Sequence, residues 1–179
     1  MRIVFQFEGK PCVFEKPRAI ISCANISTFK KCFQDIEAAL GQGQYVAGFL
    51  SYEAGECFEQ KLRRDTAHGF PLLHFGVYDK PRTEALPQPR KDARNGLQGL
   101  RLNITRDQYF SNIQTIRDFI AAGEVYQITY CIKMLFSFSG DPAALYQQLL
   151  REQPVPYPAY LETDDVTILS LSPEMFLKK

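Results

Sequence analysis

Glu174 has the strongest claim to chemistry in this sequence. It follows Ser172-Pro173, which close the run Val166-Thr167-Ile168-Leu169-Ser170-Leu171, a short apolar and β-branched stretch suited to a buried strand. Pro173 has no N–H to give to a ladder, so the strand ends or kinks there and delivers the carboxylate to the mouth of a sheet. A carboxylate so placed is either a solvated rim charge or a general acid or base, and the residues alone leave both open. Tyr52-Glu53 poses the same question at the end of the run 45–51. Pro156-Tyr157-Pro158 holds an aromatic between two stiff residues, which makes either an apolar wall for a flat ligand or an ordinary strand-entry core residue.

Other reactive side chains are less organised. His68 and His74 have no neighbouring Cys, Asp or Ser pattern that marks a triad or a metal site, and read as surface or core histidines. The five cysteines, at 12, 23, 32, 57 and 131, are odd in number and lack Cys-x-x-Cys or His-containing spacing. They read as reduced thiols of a cytoplasmic protein, and no residue is assigned as a metal ligand.

These residues need elements to position them. Residues 2–7 and 11–14 alternate like two strands around the turn Glu8-Gly9-Lys10-Pro11, with Ala19-Ile20-Ile21-Ser22-Cys23 a third. Ser27 is placed to cap a helix whose Phe29, Phe33, Ile36 and Leu40 form one stripe, closed by Gly41. The sheet beneath it continues through 45–52 and 72–78, with Gly48 allowing close backbone approach. Thr105-Arg106-Asp107-Gln108 is a capping box for a helix bearing Tyr109, Ile113, Ile116 and Ile120 and ending at Gly123. A strand is expected from Glu124, with Tyr126, Ile128, Tyr130 and Ile132 on one face. Asp141-Pro142 opens a further helix that turns Leu145 and Leu149 inward. Antiparallel strand pairs interrupted by isolated helices give an α+β class.

Residues 1–79 are expected to form a sheet-and-helix subdomain and 104–179 the beginning of a second domain. Between them, 80–103 gathers Pro81, Pro87 and Pro89 with Lys80, Arg82, Arg90, Lys91 and Arg94, and has little to bury. It reads as an exposed linker, with a basic partner contact as the other possibility.

Composition narrows the function. The chain has 179 residues, 45% of them apolar and 23% charged, with a net charge of +1. That is ordinary for a globular protein and supplies no basic field for nucleic acid or an anionic membrane. No apolar run is long enough to span a bilayer, and Glu8 and Lys10 come too early for a signal peptide. A small-molecule or protein partner in the cytoplasm is the expectation.

The motifs at 120–176 add a family resemblance. In order they are Ala122-Gly123-Glu124, Tyr126-Gln127-Ile128, Asp141-Pro142 with Leu145-Tyr146, Pro154-Val155-Pro156-Tyr157 and Ser170-Leu171-Ser172-Pro173-Glu174. Together they resemble the chorismate-utilising enzymes, the family of component I of aminodeoxychorismate synthase and of anthranilate synthase. The stretch Tyr45-Val46-Ala47-Gly48-Phe49-Leu50-Ser51-Tyr52-Glu53-Ala54 is similar to a Gly-Tyr-Leu-x-Tyr-Glu-Ala segment of the aminodeoxychorismate branch, where the anthranilate branch tends to have Tyr-Asp.

The resemblance implies an incomplete part of the chorismate-utilising, anthranilate synthase component I-like fold, in which antiparallel sheets pack together with helices outside. It implies chorismate as substrate, Mg2+ as cofactor, a glutamine amidotransferase subunit as the partner supplying ammonia, and 4-amino-4-deoxychorismate, a precursor of p-aminobenzoate and folate, as product. Glu174 corresponds to the acid/base residue. Pro156, Tyr157 and Pro158 match a segment bordering a tryptophan pocket, although the Leu-Leu-Glu-Ser motif of the feedback-regulated enzymes is absent. Thr129-Tyr130 replaces a more usual pair after Gln127, and no substrate-binding residue is assigned. A Pro-Ile-Lys-Gly-Thr motif and the Mg2+ ligands belong to family segments beyond residue 179, and Lys178 and Lys179 do not sit in that motif. The expectation is therefore an N-terminal portion, inactive alone. A self-standing binding or scaffold domain is the competing class.

Overall fold

The computed structural model describes residues 1–7, 9–64, 69–83 and 96–178. The chain divides into two compact units, Met1–Arg90 with Pro142–Lys179, and Lys91–Asp141.

The first unit contains two antiparallel sheets. One has the order β2-β1-β8-β9, built from β1 (Arg2–Phe7), β2 (Lys10–Glu15), β8 (Tyr157–Glu162) and β9 (Thr167–Ser172). The other has the order β3-β5-β4, from β3 (Ala19–Cys23), β4 (Tyr45–Leu50) and β5 (Leu73–Tyr78). Helix α1 (Ile26–Gly41) covers the outer face of the second sheet, and α3 (Pro142–Glu152) covers that of the first. The period of two along each strand explains the layering. Ile3, Phe14, Ala159 and Leu161 turn toward Ala47 and Tyr78 of the facing sheet. Their neighbours Val4, Val13 and Tyr160 turn outward onto Ala143 and Tyr146 of α3. The first sheet thus buries both faces, and its sequences read as continuous apolar runs.

The second sheet meets α1 through Cys23, Leu72 and Leu73 against Phe29 and Cys32. Gly48 fits the expectation placed on it, since a Cβ there would overlap the His74 carbonyl oxygen and come within 2.6 Å of Phe75 Cα. At the first hairpin Phe7 pairs with Lys10, and Gly9 takes a positive φ of 78°.

The second unit holds β6 (Gly96–Leu102), α2 (Arg106–Ala121) and β7 (Met134–Ser139), with β6 and β7 paired antiparallel. Thr105 caps α2 as a full capping box with Gln108, as its sequence requires. Tyr130 is fixed to the helix by a 2.6 Å hydrogen bond from Asn112 Nδ2 and by stacking on Tyr109.

Several expectations are corrected. Residues 124–133 form no strand, because alternation alone makes no ladder without a partner, and β7 begins only at Met134. Its partner β6 lies inside the stretch 80–103 expected as linker, while Arg82 makes a β-bridge with Val13. Residues 84–95 and His68 lie outside the described residues. Across the boundary expected at 104, β8 and β9 complete the sheet begun by β1 and β2. Asn25, not Ser27, is the N-cap of α1, and its side chain makes no capping bond. In α3 the inward face is Ala143, Tyr146 and Leu150, while Leu149 is exposed.

Candidate functional site

Pairing of β8 with β9 brings the two C-terminal motifs together. Tyr157 lies opposite Ser172 and Pro158 opposite Leu171 at the open end of this ladder. Pro158 is buried, Tyr157 half-buried and Pro156 exposed. Pro173 follows the last paired residue, as its missing N–H demands, and Ser172 Oγ donates a 2.6 Å hydrogen bond to the Glu174 carbonyl oxygen. That short turn fixes where the Glu174 backbone leaves the sheet. Its side chain stands exposed. A carboxylate serves as acid and base when a site shields it and holds a proton acceptor or donor within about 3 Å.

The Tyr52-Glu53 motif begins a 3₁₀ helix, Tyr52–Cys57, directly after β4. Tyr52 is 93% exposed and Glu53 half-buried. Neither adjoins the β8–β9 end in sequence or in strand pairing, so no shared site with Glu174 is assigned.

The buried carboxylate of this region is instead Glu56, only 4% exposed. Its Oε2 accepts from the Arg64 backbone N–H at 3.2 Å, Arg64 Nε stands 3.9 Å from Oε1, and Arg63 Nε donates to its carbonyl oxygen at 3.3 Å. A buried charge needs such partners, and this set closes the 3₁₀ segments on themselves. The basic Arg63-Arg64 pair shortly downstream was the signal in the sequence.

His74 has a partner that its sequence neighbours do not supply. Cross-strand pairing sets it opposite Ser22, and Nδ1 and the Ser22 Oγ lie 3.0 Å apart, with Phe49 stacked on the ring. Partial burial lowers its pKa, the positive N-terminal amine adds to this, and Asp165 and Asp164 oppose it. Such a contact could not be found from spacing, because the two residues are 52 apart in sequence.

Among the described residues no group of three or more His, Cys, Asp or Glu could hold a metal ion. None of their helices is long and apolar enough to cross a membrane.

Known proteins are similar to this chain in sequence. Aminodeoxychorismate synthase component 1 of Klebsiella aerogenes is 30% identical over 155 residues, covering 73% of this chain and 34% of that protein. The Bacillus subtilis protein of the same name is 37% identical over 76 residues, 42% of this chain and 16% of its own length. Anthranilate synthase component 1 of Thermus thermophilus is 28% identical over 93 residues, 52% of this chain and 20% of that protein. The chain thus spans about a third or less of the length of these curated relatives. The family model of chorismate binding enzymes matches residues 8–179, and with nearly the whole sequence inside that match the chain belongs to this family.

Proposed function

We propose that this chain forms part of a component I of aminodeoxychorismate synthase, which takes chorismate and ammonia to 4-amino-4-deoxychorismate for p-aminobenzoate and folate synthesis. The observation that carries the reading is the β8–β9 end, where Tyr157 faces Ser172 and Pro173 turns Glu174 out past the last ladder pair. Hydroxide is a poor leaving group, so loss of the chorismate 4-hydroxyl calls for a positioned proton donor. In this reading that donor is Glu174, worth a factor of about 10² to 10⁴. Because Glu174 is exposed, the reading requires further protein to close over it before it acts.

Tyr52-Glu53-Ala54 and the relatives from Klebsiella aerogenes and Bacillus subtilis support the aminodeoxychorismate branch. The Thermus thermophilus relative supports anthranilate synthesis as the second reading. Ammonia comes from a glutamine amidotransferase partner, and the enzyme works in the cytoplasm. The half-buried Tyr157, beside buried Pro158, is assigned as a wall of an indole-sized pocket rather than a feedback site. The described residues hold no group of three or more side chains fit for Mg2+, so in this reading Mg2+ takes its ligands from outside them and residues 1–179 by themselves turn over no chorismate.

The test begins with the gene beyond the codon for Lys179. Pro-Ile-Lys-Gly-Thr in frame supports the aminodeoxychorismate reading, and Ala at the Lys position turns it toward anthranilate. In the protein of the complete frame, Glu174→Gln is expected to lower turnover of chorismate with ammonium at least a hundredfold. Unchanged turnover overturns the role of Glu174, and a stop codon after Lys179 overturns the enzyme reading.

A further inference from the structure

We infer that Cys23 and Cys32 are a latent dithiol, able to close into a disulfide that staples α1 to β3. Cys23 ends β3 and Cys32 sits in the second turn of α1, and both lie in the cluster that joins helix to sheet. The Cys32 thiol donates to the Ser22 carbonyl oxygen at 3.8 Å, which sets its sulfur one peptide unit from the Cys23 backbone. A disulfide needs Cα atoms roughly 4.4–6.8 Å apart with Cβ atoms turned toward each other, and the inference requires this pair to reach that geometry.

Burial explains why the pair is quiet. The residues are 7% and 8% exposed, and burial with the neighbouring Cys32 thiol pushes Cys23 up to about 11. The thiolate is the nucleophile, so oxidation waits for α1 to lift. The helix start at Asn25, without a side-chain cap bond, is the place where that occurs at least cost.

The oxidant is a low-molecular-weight disulfide. One protein thiolate attacks it, forming a mixed disulfide and releasing one small thiol. The second protein thiolate then attacks the protein sulfur, forming the Cys23–Cys32 bond and releasing the other small thiol. The protein loses two electrons, the reagent gains them, and both cysteine protons end on the released thiols. Cys57 packs against the same cluster and is the competing partner.

The full chain is incubated with oxidised glutathione for hours, blocked with N-ethylmaleimide, and digested without reduction. Trypsin cuts at Lys30 and Lys31, and a glutamate-specific protease cuts between Cys32 and Cys57, so the three cysteines fall on separate peptides. The expected result is a linked pair of the Cys23 and Cys32 peptides, present also in Cys57→Ser. It is accompanied by a rise in Tm of roughly 5 °C that dithiothreitol reverses and Cys32→Ser lacks. A link through Cys57, glutathione adducts alone, or a linked pair with no gain in Tm overturns the inference.

Discussion

Tyr146 of α3 and Tyr160 of β8 meet with ring centroids 5.5 Å apart and planes inclined at 50°, at the centre of the contact between helix and sheet. The Tyr146 side chain is fully buried, yet among the described residues its hydroxyl has no hydrogen-bond partner. Its ring stabilises and its oxygen costs. Tyr146→Phe is therefore expected to leave stability unchanged or raise it by about 1 kcal/mol, while Tyr146→Ala loses about 3–5 kcal/mol. Urea unfolding of both variants checks the pair, and a clear loss in Tyr146→Phe argues against an unpartnered hydroxyl.

The same burial sets a limit at high pH. Desolvation pushes the phenols of Tyr78 and Tyr146 from 10.0 up to about 12. The folded state holds these protons more tightly than the unfolded state. Stability is therefore whole below about pH 10 and falls as pH rises toward 12, by roughly 2–3 kcal/mol per tyrosine. Cys23, raised from 9.0 to about 11, starts the decline one unit earlier. Thermal melts from pH 8 to 12 should show this limb, and it should be shallower in Tyr146→Phe.

Gly48 answers to its neighbours. A methyl group there meets the His74 carbonyl oxygen and the Phe75 backbone, neither of which can swing aside. Gly48→Ala is expected to cost roughly 3 kcal/mol, measured as a lower urea midpoint, while Gly41→Ala, which meets nothing within 4 Å, costs far less.

In the second unit, α2 has no buried residue and β6 is exposed along nearly its whole length. In the first unit, Ile3 and Val4 of β1 and Leu72 beside β5 are fully buried. Hydrogen exchange of the chain by itself should therefore run roughly ten- to a hundredfold faster at α2 amides than at β1 and β8. Equal protection of the two argues against this difference in local stability.

What was legible in the sequence was what short range decides. The capping box at Thr105 and Gln108, the hairpin at Gly9 and the break at Pro173 all rest on bonds between residues a few positions apart. The alternation after Glu124 promised a strand, but a strand is made by its partner, and β7 instead found β6 in a stretch whose prolines and charges suggested a linker. The site followed the same rule. Ser172-Pro173-Glu174 was visible, whereas its position across from Tyr157 depended on the register of two strands. The Ser22–His74 pair was hidden because strands distant in sequence bring it together, and Glu56 left only the Arg63-Arg64 pair as a signal, since a local fold without periodicity closes around it.

The sheet order β2-β1-β8-β9 has a consequence for synthesis. Ile3 and Val4 pair with Leu161 and Tyr160, and every residue between must be made before that ladder can close. Until then the β1–β2 hairpin carries an unpaired apolar edge, the kind of surface that chaperones bind and that aggregates in their absence. The slow step in the birth of this chain is thus written at β1, and a nascent chain arrested before Tyr157 should remain protease-sensitive at β1 however long it waits.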